Sequence, residues 1–270
     1  MSFYTSLNGL KNAQTSLGTL AHNIANSETY GFKRSRTEFS EIVAGTSLSN
    51  PKMIQGIGAS VKSITQNFAL GPVEQTGSAL DLAITGDGFF TTRSPIDDTT
   101  QYTRAGSFSL NGEGEIVDSS NNRLQLFALD GNGDPDINTL QDAVLPAQNA
   151  DGSDFVGVTV NEVGIVSASY ADGTSEPVGA IALGSFIAPT GLKKVGDANW
   201  EATGLSGGAV YGTGGSGAFG KIASGALERS NVDIAEELVG LITAQRNFQA
   251  NAKAIDTATQ ISQTVINLRT

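Results

Sequence analysis

The sequence predicts an α+β fold: long N- and C-terminal helices forming a coiled-coil-like stem, with an all-β head inserted between them. Three observations predict it. Both ends of the chain carry apolar residues at alternating steps of three and four, the spacing of one helix face. The middle instead alternates every second residue between Asn-Gly and Asp-Gly turn signals. Glycine is abundant, with 33 in 270 residues, while charged residues make up only 16%, against typical values of ~7% and ~25%.

The C-terminal helix is the clearest element. Ser230, Asn231 and Asp233 each offer a side-chain oxygen to cap its start, and Asp233, Glu236 and Glu237 place negative charge near the positive end of its dipole. From Ile234 to Leu268 no proline interrupts it and Gly240 is the single glycine, so it should run on the order of 50 Å at ~1.5 Å per residue. Leu238, Leu241, Gln245, Phe248, Ala252 and Ile255 form a heptad seam; after a stammer it resumes at Ala258, Ile261, Val265 and Leu268. At the other end Phe3, Leu7, Leu10, Gln14, Leu17, Ala21 and Ile24 repeat the pattern, and the two seams are expected to pack on each other. Their outer faces are polar but poor in charge: Lys11 is the only full charge between Ser2 and Asn26, and only Arg246, Lys253, Asp256 and Arg269 follow Leu238. Solvated helices normally carry Glu and Lys pairs. Faces of this kind suit packing against copies of the same chain, so both helices read as assembly helices.

The expected organisation is a terminal helical assembly domain from residues 1–30 plus 231–270, extended connectors at 31–75 plus 205–230, and a β-rich head at 76–204. After the first helix, Asn26 and Ser27 can end it, Gly31 permits positive φ, and Lys33, Arg34 and Arg36 form a short basic cluster that reads as a solvated loop. In the head, Leu80 to Ile84 alternates, Gly86-Asp87-Gly88 turns into Phe89, and Asn111-Gly112 marks a hairpin between Tyr102–Leu110 and Glu115–Val117. Arg123 to Leu129 is a further strand, and Asp172-Gly173 joins Ile165–Tyr170 to Val178–Phe186.

Composition excludes several functions. A net charge of −11 disfavours nucleic acid as a partner. The absence of cysteine removes disulfides, thiolate metal sites and thiol nucleophiles. The first 25 residues lack the pattern of a secretory signal and no run of ~18 apolar residues is present. The expectation is a soluble chain without membrane insertion, exported, if at all, without a cleaved signal peptide.

Three near-motifs fail on context. Gly212, Gly214 and Gly217 match G-x-G-x-x-G with neither a clear strand before nor a helix after. Gly215 to Lys221 matches most of a phosphate loop, but Ile222 supplies no hydroxyl for magnesium. Asp130, Asn132 and Asp134 have calcium-loop spacing, yet Pro135 replaces the turn glycine and Gln141 the bidentate glutamate. His22 stands alone, and Asp81, Asp87, Glu113 and Glu115 are unremarkable among 27 acidic residues. No enzyme, metal site or cofactor is expected.

The segments ANSETYGFKRSRTEF, LDLAITGDGFF, YTRAGSFSLNGEGEIV and SNVDIAEELVGLITAQRNFQANAKAI resemble the signature segments of bacterial flagellar axial proteins, the rod and hook subunits. The residues carrying the resemblance at the two ends are Ala25, Asn26, Gly31, Phe32 and Lys33, and Asn231, Val232, Glu237, Leu238, Gln245 and Arg246. Both ends resemble hook subunits, while Leu129 to Val158 leaves little room for the outer β domain that hook subunits usually insert. The resemblance implies a self-assembling tube that flexes and transmits torque between rod and filament, with a distal rod subunit as the alternative. It further implies as partners the distal rod protein, the hook cap, hook–filament junction proteins and the flagellar type III export apparatus, and an extracellular location in the flagellum. A reading from another class is an extracellular β-rich adhesin or carbohydrate-binding protein that oligomerises through its helices.

Overall fold

A computed structural model describes residues 2–44, 55–131 and 133–267. Leu268 of the seam, Asn132 of the near-calcium loop and residues 45–54 of the expected connector lie outside the described residues. The chain divides into two compact units: residues 1–27, 34–67 and 232–270 form the first, and residues 28–33 and 68–231 the second.

The first unit holds helix α1 (Ser2–Ala25), strands β1 (Ser35–Ala44) and β2 (Gln55–Gln66), and helix α2 (Ile234–Asn267). Asn26 ends α1: its backbone and side-chain N–H groups both reach His22 O, at 3.2 and 2.8 Å. Asp233 caps α2, its Oδ1 accepting from the backbone N–H groups of Ala235 and Glu236 at 2.8 and 3.1 Å. The span expected to be a connector is a long antiparallel ribbon, with Ser35 opposite Gln66 and Ala44 opposite Gln55. A two-stranded ribbon is marginal alone, and α1 supports this one. Asn12 Nδ2 donates to Ala59 O at 2.8 Å, and Thr37 Oγ1 donates to Thr19 Oγ1 at 2.9 Å.

The second unit is β throughout its regular structure apart from one 3₁₀ turn at Pro189–Gly191, among the described residues. Its main path is antiparallel and runs Phe155–Val160, Ile165–Tyr170, Ser175–Ile181, Arg123–Leu129, Phe89–Arg93, Thr100–Thr103, Asn199–Glu201 and Lys193–Gly196. Leu82, Phe90, Ile116, Leu124, Leu126, Ile181 and Leu183 fill one core, and Phe89, Tyr102, Phe186 and Trp200 a second. Strands at Val210–Gly212, Lys221–Ser224 and Ala226–Glu228 belong to this unit, where a connector was expected. The last two pair with Leu82–Thr85 and Val73–Gln75, which ties the return of the chain to its outward path. The glycine-rich loop leads into the strand at Lys221, and Lys221 Nζ lies 2.9 Å from Glu162 Oε2.

Side chains build the turns of this unit. Asn111 Oδ1 accepts from the N–H groups of Glu113 and Glu115, and Asp118, Asn149 and Asn161 do the same two and four residues ahead. The residue before the second donor has positive φ in each case: Gly114, Asn121, Gly152 and Gly164. The hairpin after Leu110 is therefore a longer side-chain-capped loop with its left-handed residue at Gly114, whereas a tight turn at Asn111-Gly112 was expected.

Candidate assembly surface

Within the first unit α1 and α2 run antiparallel. Asn23 Nδ2 donates to Glu237 Oε2 at 3.0 Å, and a Cβ on Gly240 would sit 3.1 Å from Leu20 Cδ2. A Cβ on Gly9 would collide with Asn251 Oδ1 at 2.4 Å. These pairs keep one constant register, which places Ser2 near Ala258 and leaves residues 259–267 of α2 beyond the start of α1. The contact line on α1 is Gly9, Ala13, Ser16, Leu20 and Asn23. On α2 it runs through Glu237, Leu241, Ala244, Phe248, Asn251, Ile255 and Ala258, alternating steps of four and three without a stammer.

This corrects the expectation that the two apolar seams pack on each other. The line that brings the helices together mixes small and polar residues with a few larger ones, and Gly9 and Gly240 let the backbones approach closely. Only Leu241, Phe248, Ile255 and Ala258 of the expected α2 seam share it, each half-buried. The remaining seam residues lie one residue further on. Leu10, Leu17 and Ile24 follow Gly9, Ser16 and Asn23; Leu238, Gln245 and Ala252 follow Glu237, Ala244 and Asn251. One residue is a rotation of ~100° about the helix axis, and in an antiparallel pair equal rotations carry both rows to the same side. The ribbon occupies the opposite side: Thr19, Thr243 and Asn247, one residue before contact positions, line a groove of about 320 Å³ with Arg36 and Thr37. The two apolar rows thus form a single flank facing away from the ribbon. Leu7, Leu10, Leu17 and Ile24 are half-buried there, while Phe3, Leu238, Ile261 and Val265 are exposed, Ile261 at 60%.

The hydroxyls along α2 demand nothing from outside. Thr243, Thr257, Thr259, Ser262 and Thr264 each donate to the carbonyl four residues back, at 2.9–3.0 Å. Their methyl and methylene groups remain as the outward surface.

The signature residues separate into two roles. Ala25, Gln245 and Arg246 are exposed and Asn26 and Val232 half-buried. Gly31, Phe32 and Lys33 are buried inside the second unit, which corrects the reading of Lys33 as part of a solvated basic loop. Gly31 has φ +67°, and a Cβ there would come within 2.3 Å of Ala105 N, so glycine is required. Lys194 Nζ lies 4.6 Å from the centre of the Phe32 ring. The Lys33 amine donates to Glu228 Oε1 at 2.6 Å and Ala69 O at 2.9 Å, and Gly71 N donates to the same carboxylate oxygen at 2.8 Å. Arg104 Nη1 stands 3.4 Å from the other oxygen. Desolvation pushes both Lys33 and Arg104 below their ordinary values, and the Glu228 charge opposes it. Asn231 Nδ2 donates to Ala69 O at 2.9 Å, on the same segment. Arg34 belongs to the first unit: its guanidinium bridges both oxygens of Glu236 at 3.0 Å and approaches Glu237 at 2.5 Å. Asn23, Arg104 and Glu228 escaped sequence reasoning, because nothing local distinguishes them from surface residues and Glu228 lies 195 positions from Lys33.

Three family models match the chain: "Flagella basal body rod protein" at residues 3–33, "Flagellar hook protein FlgE/F/G D1 domain" at 83–168, and "Flagellar basal body rod FlgEFG protein C-terminal" at 223–268. Among its relatives, the flagellar basal-body rod protein FlgG of Bacillus subtilis is 36% identical over 99% of this chain and 98% of its own length. FlgG of Borreliella burgdorferi is 32% identical with the same coverage. The flagellar hook protein FlgE of Escherichia coli is 26% identical in an alignment of 409 positions that takes in the whole of both chains. With relatives above 30% identity spanning it from end to end, the chain belongs to the bacterial flagellar rod and hook axial proteins.

Proposed function

We propose that this chain is a structural subunit of the flagellar hook, which assembles through α1 and α2 into a helical tube and serves as a flexible, torque-transmitting joint between rod and filament. The observation that carries this reading is the uncovered apolar flank of the helix pair, continued by a tail of α2 that α1 does not reach. A flank poor in charge is suited to burial against further copies, and a contact between unlike surfaces builds an open helix rather than a closed dimer. The paired helices are the coiled-coil-like stem of the tube wall. Sliding between neighbouring subunits accommodates curvature. Phe3, Leu7, Leu10, Leu17, Ile24, Leu238, Leu241, Phe248, Ile255, Ile261, Val265 and Leu268 are the assembly residues. The location is extracellular in the flagellum, after export through the flagellar type III apparatus, and the partners are the distal rod protein, the hook cap and the junction proteins.

A distal rod subunit is the second reading. It is favoured by the FlgG relatives, which match this chain nearly end to end, whereas the FlgE alignment is much longer than its 270 residues. Deleting the gene separates the two: rods that persist without hooks support the hook subunit, and loss of the distal rod assigns the chain there. Negative-stain microscopy of concentrated protein tests both against an adhesin, for which discrete oligomers replace tubes.

A further inference from the structure

The α1–α2 contact line has a weakness that its polar end corrects. From Gly9 to Ser16 the α1 side of the line is small: Gly9 faces Asn251 and Ser16 faces Ala244, with Leu20 on Gly240 the one large contact before Asn23. Sliding one helix by a heptad would place small residues on small residues again, so packing alone selects the register poorly. At the end of the line stands Glu237, a wholly buried carboxylate of α2. Its Oε2 accepts from Asn23 Nδ2 at 3.0 Å, and Arg34 Nε lies 2.5 Å from Oε1. Asn23, also wholly buried, clamps β1 in the manner of a paired strand: Nδ2 donates to Ser35 O at 2.8 Å, and Oδ1 accepts from Ser35 N at 2.9 Å. One carboxylate therefore joins α1, β1 and α2. A slip of seven residues would bring Ala244 opposite Asn23, leaving the amide and the guanidinium without their acceptor and the carboxylate without its donors. Stranded buried polar groups are far more costly than the packing difference between registers.

We infer that Glu237 is a positioning residue of assembly, a buried register pin that sets α1 against α2 and β1 and so aligns the two apolar rows of the flank. The pin stands on the geometry of one chain, and only its link to polymerisation rests on the function proposed above.

The chain has no cysteine, so introduced pairs report register cleanly. In the full-length chain, Ser16→Cys with Ala244→Cys probes the native register, and Ser16→Cys with Asn251→Cys probes the slip of one heptad. With Glu237 present, only the native pair forms a disulfide. In Glu237→Leu the off-register pair should form at least tenfold faster than with Glu237, and tube formation should fall. Oxidising the native pair first should restore tubes in the same variant, which a surface role for Glu237 does not explain. If the helical unit of Glu237→Leu does not fold, as reported by helical circular dichroism, Glu237→Gln carries the same readouts with smaller changes. A native pair that remains the sole cross-link in the folded variants overturns the pin. A slipped register with unchanged tubes leaves the pin standing and overturns the helices as the assembly surface.

Discussion

The two units of this chain bury themselves to very different degrees. The β unit encloses Trp200, Phe90, Phe127 and a set of leucines and isoleucines at under 2% exposure. Among the described residues of the unit holding both helices and the ribbon, the buried hydrophobic residues are Ala13 and Ala244 alone. At roughly 25 cal/mol per Å² of apolar surface removed from water, the β unit has a core that folds by itself and the helical unit has almost none. A 34-residue helix with that little cover derives its stability from tertiary packing, and under the function proposed above the packing missing within the chain comes from neighbours. On that proposal the contrast is between a part that is finished as a monomer and a part finished by assembly.

The sharpest way to break the comparison is to charge the flank. Leu10→Asp or Leu238→Asp places a carboxylate in the flank proposed to be buried between chains, at a cost on the order of several kcal/mol per contact. Tube formation should disappear in light scattering, while the Trp200 melting transition stays at its wild-type temperature. Tubes of normal appearance from either variant would move assembly to another surface.

Next in size is the buried ionic cluster of the β unit. Glu228→Gln keeps the shape and removes the carboxylate that pairs with buried Lys33 and lies 3.4 Å from Arg104, which should cost about 3–5 kcal/mol. The loss should appear in chemical denaturation followed through Trp200, with amide exchange rising first at residues 28–33 and 68–72.

Core truncation then separates the units directly. Leu126→Ala should destabilise the β unit by ~2–5 kcal/mol, because Leu126 is wholly buried. Val265→Ala in the uncovered tail, 58% exposed, should change monomer stability by no more than ~0.5 kcal/mol and yet raise the concentration needed for polymerisation. Equal effects of the two on the monomer would erase the distinction between them.

The same contrast governs how much of the molecule its sequence discloses. Where a residue's partners lie within the chain and nearby, local pattern is enough. Arg123–Leu129 and Ile165–Tyr170 are strands with the expected limits, since alternation reflects one buried face. Both helices are legible from their period. The face that joins them is not, since the more apolar rows lie one residue off it, and the in-chain contact depends on glycine, alanine and the Asn23–Glu237 hydrogen bond beside a few larger residues. The ribbon is likewise obscure, because Gly-, Ser- and Thr-rich strands that lean on a helix through hydrogen bonds carry little hydrophobic alternation. Lys33 looks like one of three loop cations; only the fold brings Glu228 to it.

The smallest effect tests how the β unit finishes its own turns. Asp172 Oδ1 accepts from both the backbone N–H and the hydroxyl of Thr174, at 2.8 and 2.6 Å, and Oδ2 accepts from Asn149 Nδ2 at 2.8 Å. These bonds, led by the Thr174 hydroxyl, favour the charged form and hold the carboxyl at about 2, below its ordinary 3.8. The sign follows from linkage: a carboxylate depressed in the folded state contributes stability that is complete above its unfolded value and is lost as pH falls through the folded one. The turn joining Ile165–Tyr170 to Ser175–Ile181 should therefore hold at pH 5 and loosen between about pH 4 and 2, with the Thr174 amide shift following the Asp172 titration. Thr174→Val removes the leading donor and should raise the midpoint toward 3.8, whereas Asp172→Asn should make the Thr174 shift independent of pH over that range. Because the turn is solvent-exposed, the response should stay local and leave the Trp200 transition in place. A titration midpoint unmoved by Thr174→Val would mean that the hydroxyl does not set the charge of this turn.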